Sequence, residues 1–295
     1  SKNNETTAKE PFEKHPDMIL HLEDVAVFIA NWENKVDNIR QIQNILGIGF
    51  DSMVFLDDNP FERNIVLENI PEIIVPDLPE DPAEFLPFLK TLNLFETTSF
   101  TEEDSVRTKL YQEEAKRVEF QRSFTNEGDF LKSLEMVSEV KPFNSFSVPR
   151  IAQLSQRSNQ FNLRTVRYTE EEIAKIAVSQ NHIALSFGLK DKYGDHGLIG
   201  VIILEKKDAS TLFVNTWFMS CRVLKRGMEN FTLNIIAQKA REHGYARLIG
   251  EYIPTPKNAI VKDHYLDLGF VSSNNQWQLD LSTYQEKECF INPLF

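Results

Sequence analysis

From Phe50 to Arg63 the chain reads Phe-Asp-Ser-Met-Val-Phe-Leu-Asp-Asp-Asn-Pro-Phe-Glu-Arg, and this stretch constrains the fold more than any other. A short apolar run, Met53 to Leu56, stops at two adjacent carboxylates, Asp57 and Asp58. Asn59 and Pro60 then turn the chain into a helical stretch, 61–69. Few apolar residues between turn formers read as a strand buried on both faces, as in a parallel sheet. Ligands of open α/β sheets sit beyond the carboxyl ends of such strands, which is where this acidic pair falls. Two like charges so close are costly unless a cation or donor relieves them. A hard oxygen-seeking ion such as Mg²⁺, sharing its shell with substrate phosphate, is the common solution. The plainer alternative is a solvated Asp-Asp turn that caps the next helix.

Residues 1–95 alternate helix and strand. Helix formers run from Ala8 to Lys14, and Met18 to Leu22 is a strand candidate. Val25 to Asn31 opens a helix or a loop wall. Lys35 to Leu46 carries Val36, Ile39, Ile42, Ile45 and Leu46 at three- and four-residue spacing, an amphipathic helix stopped by Gly47. Ile73 to Val75 is a further strand, after which Pro76, Pro79 and Pro82 forbid regular structure. This order predicts a parallel sheet flanked by helices. Residues 96–144 read as a helical linker. The capping box Thr101-Glu-Glu-Asp104 opens a charged helix to about Arg122, and its sparse apolar positions (Val106, Leu110, Val118) suggest a helix bridging two domains.

From 145 to 295 the pattern is α+β. A helix begins at Arg150, the loop Asn159 to Thr165 follows, and Thr169 to Glu172 is a second capping box. Strands are expected over His182–Leu189, Gly197–Glu205 and Thr211–Met219, with a hairpin turn at Tyr193–Gly197. The helix Met228–His243 turns Met228, Phe231, Ile235 and Ile236 inward and ends at Gly244. A strand Ala246–Ile253, a helix Lys257–Leu268 and a last stretch from Phe270 complete the domain.

Bulk properties narrow the function classes. The 295 residues are 41% hydrophobic and 26% charged, ordinary globular material, and two domains fit the length. A formal charge of −12 argues against nucleic acid or an anionic membrane as the main partner. Cys221 and Cys289 form neither a disulfide framework nor a zinc signature, so a reducing cytoplasm is the expected compartment. Cys221 lies beside Arg222, where a thiolate would be stabilised, although a small packed cysteine ending a strand is as common.

Four strings carry a family resemblance: Ser1-Lys-Asn-Asn4, Glu10-Pro-Phe-Glu-Lys-His-Pro16, Asn31-Trp-Glu-Asn-Lys35 and Phe55-Leu-Asp-Asp-Asn-Pro-Phe-Glu-Arg63. With them the first 95 residues resemble the haloacid-dehalogenase (HAD) superfamily, subfamily IIIC, and within it the FkbH-like proteins. The resemblance implies a HAD-like, Rossmannoid domain. In it Ser1 holds phosphoryl oxygens with Lys2 and Asn3, Lys35 steadies the transferring phosphate, and Asp57 and Asp58 bind Mg²⁺. Ser1, Lys35 and Asp58 are thus the expected catalytic residues. The superfamily's nucleophile stands in an Asp-x-Asp strand upstream of the Ser motif. No such strand precedes Ser1, so the chain reads as a piece of a longer protein that by itself is expected to be inactive.

The second domain resembles the acyltransferase-like domain of FkbH-like proteins, and more distantly the GNAT acetyltransferases. Its strings are Gln156-Arg-Ser-Asn-Gln-Phe-Asn-Leu-Arg164, Gly194-Asp-His-Gly197 and Met219-Ser-Cys-Arg-Val-Leu-Lys-Arg-Gly-Met-Glu229. Arg222, Lys225, Arg226 and Gly227, before a helix N-terminus, are laid out as an anion cradle. Asn258 and Tyr265 match a cofactor-contacting Asn and a Tyr acid, and Asn159 and Asn162 are expected to help receive an acyl or pantetheine arm. Leu224 and Glu229 depart from the acetyltransferase loop, and a carboxylate at the cradle repels phosphate. Phosphopantetheine on a carrier protein is therefore expected ahead of a free CoA thioester. The resemblance implies removal of phosphate from a phosphorylated three-carbon acid and loading of the glyceryl group onto an acyl carrier protein. The alternatives are a carrier- or CoA-dependent acyltransferase with a vestigial first domain, and a non-catalytic docking module.

Overall fold

A computed structural model describes residues 1–96, 107–273 and 276–295. The chain divides into two compact units, Ser1–Ser123 and Phe124–Phe295.

In the first unit α1 is Glu5–Lys14 and α2 is Lys35–Leu46. Asn34 caps α2 by accepting the Asp37 N–H at 2.8 Å, and Gly47 ends it in the left-handed region at φ 63°. α3, Pro60–Asn69, starts on Asn59, whose Oδ1 accepts the Phe61 N–H at 3.0 Å, with Pro60 preset for a first helical turn. Val36 and Ile39 of α2 pack with Val66, Ile70 and Ile73, and Met53, Phe55 and Val75 complete this small core. α4 is Phe85–Thr91 and α5 is Arg107–Gln121.

The parallel pairing expected of residues 1–95 is present but short. Val54 bridges Ile74, with the Phe55 N–H donating to the Ile74 carbonyl at 2.8 Å, and Lys2 bridges Asn31. Met18–Leu22 is not a strand. Ile19 and Leu20 are 88% and 57% exposed, so neither face is buried, and Leu22–Asp24 forms a 3₁₀ turn instead. Nor is 96–144 a separate linker. α5 packs on α2 through a face that buries Leu110, and Gln112 donates to the carbonyls of Glu23 and Val25, which places this helix in the first unit. The capping box at Thr101 and the apolar position Val106 lie outside the described residues.

The second unit holds α6, Glu127–Ser133, and an eight-stranded mixed sheet. Its strands are β1 Met136–Pro142, β2 His182–Asp191, β3 Gly194–Lys206, β4 Thr211–Met219, β5 Arg247–Gly250, β6 Val271–Ser273, β7 Gln276–Asp280 and β8 Ile291–Leu294. The spatial order is β6-β7-β5-β4-β3-β2-β1-β8. β1 therefore begins the second domain well before residue 145, and β8 pairs parallel to it at the edge. α7, Val148–Arg157, buries Val148, Ile151, Ala152 and Leu154 against Val201, Ile203 and Phe218 of the sheet. α8, Glu170–Ala177, carries the expected capping box, and α9, Met228–Glu242, buries the four apolar residues assigned to its inner face. The hairpin turn falls at Lys192 and Tyr193 rather than across 193–197. Asp191 Oδ1 accepts the N–H groups of Tyr193 and Gly194 at 2.9 and 3.1 Å, so Gly194 already belongs to β3. The helix expected over 257–268 is broken into a 3₁₀ turn, Ala259–Val261, and α10, His264–Asp267.

β4 and β5 run parallel from Thr211/Arg247 to Val214/Gly250 and then separate. The gap is filled by residues 161–163. Met219 and Leu163 donate to the carbonyls of Phe161 and Trp217 at 3.1 and 3.2 Å, and Ile253 donates to Leu163 at 2.8 Å. Gly250 ends β5 beneath Tyr265, where a Cβ would lie 2.3 to 2.5 Å from ring atoms and the hydroxyl. Gly250→Ala is expected to lower the stability of this unit by about 1–3 kcal/mol through overpacking. The check is the urea midpoint, and an unchanged midpoint would mean that Tyr265 moves aside at no cost.

Candidate active site

The acidic pair of the first unit is built by three local devices. The segment before it is held by the Val54–Ile74 bridge. Asp57 Oδ1 then accepts the Asn59 N–H at 3.0 Å, which closes the turn. Arg63, one turn into α3 and buried, donates through Nη1 to the carbonyls of Asp57 and Asp58 at 2.9 and 3.1 Å and through Nη2 to Asp77 at 2.7 Å. The turn is thus pinned from behind by a guanidinium fork.

Lys35, at the first position of α2, reaches across and donates to Asp57 Oδ2. The pair is well buried, and the Lys35 ammonium also lies 5.9 Å from the centre of the Phe55 ring. Burial first, then the Lys35 charge, lowers the pKa of the Ser1 amino group, while Asp57 opposes them, so Ser1 shares the electrostatic field of both residues. The Ser1 carbonyl accepts the Asn31 N–H at 3.1 Å. The structure therefore pairs Lys35 with Asp57, with Asp58 beside them and exposed and the Ser1 amino group within their electrostatic influence. Lys2 is engaged elsewhere, pairing with buried Glu62 at 2.5 Å, and the Asn3 side chain accepts the Asn4 N–H at 2.8 Å. Asp57 and Asp58 form an all-oxygen donor set that suits a hard ion such as Mg²⁺. No cluster of three acidic, His or Cys side chains occurs among the described residues. The fit is that of a partial shell, with Asp58 as the open carboxylate and Asp57 oriented by Lys35.

Two participants escaped the sequence reading. Glu62 captures Lys2, and Arg63 fixes the acidic turn. Both lie inside the quoted 55–63 string, and a charged pair at the third and fourth positions of a helix beside an acidic turn was the available signal.

The cradle expected in the second unit is assembled differently. Gly227, just before α9, is in the left-handed region at φ 78°, and Lys225 shares it at φ 63°. Arg226, however, is buried. It meets the Asp191 carboxylate at 3.3 Å and His196 Nε2 at 2.8 Å, both themselves buried, so its charge serves the fold. Arg222 donates to Ser220 Oγ at 3.3 Å. Burial pushes the Glu229 carboxyl, in the first turn of α9, up in pKa, only partly offset by its own backbone N–H. Burial also pushes the Cys221 thiol up, and Arg222 offsets this only in part, which is opposite to an activated thiolate.

The expected acyl-arm residues are likewise engaged within the fold. Asn159 accepts from Arg167. Buried Asn162 accepts the Thr165 N–H at 2.8 Å. Asn258, fully buried, donates to the carbonyls of Asn162 and Ile253 at 2.9 and 3.0 Å and accepts from Thr255 and Tyr252. Tyr265 is fully buried, 4.9 Å from the Phe270 ring and stacked near Trp277, and burial raises its pKa far above the ordinary phenol value. A proton donor needs access to substrate, and Asn162, Asn258 and Tyr265 are all buried, whereas Asn159 is exposed.

Comparison with known proteins gives two likenesses. No family model matches the chain, and no curated protein does. The chain is similar to the N-terminal part of a Bacteroides fragilis protein containing a phosphatase domain complexed with Mg, at 70% identity and a TM-score of 0.33, over 34% of this chain and 27% of that one. It thus spans about a quarter of that chain's length. It is also similar to an N-acetyltransferase of Staphylococcus aureus, at 17% identity and a TM-score of 0.37, over 50% of this chain and 99% of that one. A putative acetyltransferase of Salmonella typhimurium, solved with its cofactor acetyl-CoA, matches at 14% identity and a TM-score of 0.37, over 52% and 99%.

Two stability measurements test this picture of the second unit. His264 sits edge-on among Phe161, Trp217 and Tyr265, and burial lowers its pKa from 6.5 to about 3. A base with a depressed folded pKa is neutral in the fold, so its contribution is complete above the unfolded value of 6.5 and is lost as pH falls towards 3. Between pH ~6.5 and ~5 the wild type should lose about 1–2 kcal/mol more than His264→Phe. Parallel pH profiles would contradict the buried neutral histidine. Arg226→Met leaves Asp191 buried without this cation and should cost about 3–5 kcal/mol by denaturant titration. A change under 1 kcal/mol would return Arg226 to the surface.

Proposed function

We propose that the protein is an enzyme of the Mg²⁺-dependent phosphatase type, whose first unit receives the phosphate of a small phosphorylated acid. The observation that carries this reading is the Lys35–Asp57 pair set beside exposed Asp58, within reach of Ser1's electrostatic influence. The 70% identity with the N-terminal part of a protein containing a phosphatase domain complexed with Mg supports it. Phosphoryl transfer asks mainly for positioning and for neutralisation of charge on the phosphoryl oxygens. In this reading Lys35 supplies one positive charge and Asp57 keeps its ammonium aimed at the site. The Ser1 hydroxyl donates to a phosphoryl oxygen, and Asp58 with Asp57 holds the metal. Bound Mg²⁺ would supply further charge stabilisation to the same oxygens.

The FkbH-like resemblance supports a finer statement. The substrate is then a phosphorylated three-carbon acid, and the glyceryl group passes to an acyl carrier protein. The acyltransferase alternative, with a vestigial first unit, has less support, because Arg226, Asn162 and Asn258 are taken up by internal contacts and Tyr265 is buried.

The test is hydrolysis of p-nitrophenyl phosphate by the protein that contains this chain. Turnover should require Mg²⁺ and stop with EDTA. Asp58→Asn and Lys35→Ala should each lower kcat by about 100-fold or more, the usual loss for one charge-stabilising group. Equal rates with and without Mg²⁺, or an unimpaired Asp58→Asn, would overturn the proposal.

A further inference from the structure

Near its start α3 carries two adjacent charged side chains, Glu62 and Arg63, and both are buried. Neighbours along a helix point about 100° apart, so these two do not face one another. Each reaches a different segment of the first unit instead. Arg63 Nη1 donates to the Asp57 and Asp58 carbonyls at 2.9 and 3.1 Å, and Nη2 donates to Asp77 at 2.7 Å. Glu62 accepts from Lys2 Nζ at 2.5 Å, across 60 positions of sequence.

Stability alone does not explain these contacts. Taking a charge out of water costs much of what its partner returns, so an apolar side chain of similar size would serve the core as well at either position. What a buried ion pair fixes, and an apolar contact does not, is register.

The two segments held in this way are the two sides of the candidate site. Two successive carbonyls on one guanidinium nitrogen fix the peptide planes on either side of Asp58, and with them the direction in which its exposed carboxylate leaves the chain. Asp57 is set separately, by the Asn59 N–H and Lys35. On the other side, Lys2 bridges Asn31, and the Ser1 carbonyl accepts the Asn31 N–H at 3.1 Å. The segment Ser1–Asn3 is therefore anchored by its backbone to Asn31 and by the Lys2 side chain to α3.

We propose that Glu62 and Arg63 are the positioning residues for the two halves of this site. Arg63 aims the Asp58 carboxylate at the metal, and Glu62, through Lys2, holds Ser1 against the phosphate. Lys2 is then a tether and not a phosphate ligand. The inference rests on the phosphatase reading and names what orients its groups.

The test uses the same protein as the hydrolysis assay. Mn²⁺ is the metal probe, followed by EPR without substrate, and inorganic phosphate is the inhibitor of p-nitrophenyl phosphate hydrolysis. Arg63→Lys keeps the charge and loses the fork, and it should raise the Mn²⁺ Kd by about tenfold or more. Glu62→Gln should raise the phosphate Ki by about tenfold through misplacement of Ser1. Its Mn²⁺ Kd should stay within about twofold of wild type, as for an independent site. Lys2→Gln should match Glu62→Gln, and the double variant should be no worse than either, because one tether is lost only once. The Lys2 side chain is 35% exposed, so Lys2→Gln carries the test if a buried variant fails to fold. An unchanged Mn²⁺ Kd in Arg63→Lys, equal losses of metal and phosphate in both single variants, or additive losses in the double variant would each overturn the proposal and leave the phosphatase reading standing. A wild type that binds no Mn²⁺ would overturn both.

Discussion

A buried carboxylate beside a second carboxylate is the constraint on which the first unit depends. Asp57 is taken out of water next to Asp58, and the repulsion is relieved by one ammonium, that of Lys35. To deliver that ammonium, α2 must begin at Lys35, so Asn34 has to cap it and Val36 and Ile39 have to anchor it in the small core. On the other side the acidic turn must hold its shape without a long sheet ladder behind it, and Arg63 does this by binding two successive carbonyls. Core, cap and turn all serve to bring one positive and two negative charges to the end of a short parallel pair.

The second unit solves a different problem. Its two parallel strands diverge, and a split of this kind exposes backbone donors and acceptors that need partners. Here the chain satisfies them itself with residues 161–163, and Asn258 ties that segment to the loop beyond β5. Once the split is closed, Asn162 and Asn258 are consumed in holding it shut. Arg226 is consumed in the same sense, locked between Asp191 and His196 beneath the β2–β3 hairpin.

What could be read in the sequence follows the reach of the forces involved. Local ones were legible. The three- and four-residue apolar spacing and Gly47 gave α2 its observed limits, Thr169 and Glu172 gave α8 its cap, and the strand read over Thr211–Met219 is β4. Non-local ones were not. Met18–Leu22 has a strand's composition but nothing to cover Ile19 and Leu20, and the charged helix read to about Arg122 within the linker packs on α2. The site residues divide in the same way. Lys35, Asp57 and Asp58 stand in distinctive strings beside a turn that forces their meeting. Arg226 and Tyr265 match in sequence position, but their burial depends on partners far along the chain, which no local pattern records.

The parallel pairing of β8 with β1 links the order of synthesis to the order of folding. β1 is made early in the second unit, yet one of its edges stays open until Ile291 leaves the ribosome. Until then β1 presents unpaired amides and carbonyls, the kind of edge that recruits strands from other chains. Completion of the sheet is therefore a late, long-range event, slow compared with the hairpins that precede it. The nascent unit is most exposed to misassembly while it waits for its last strand.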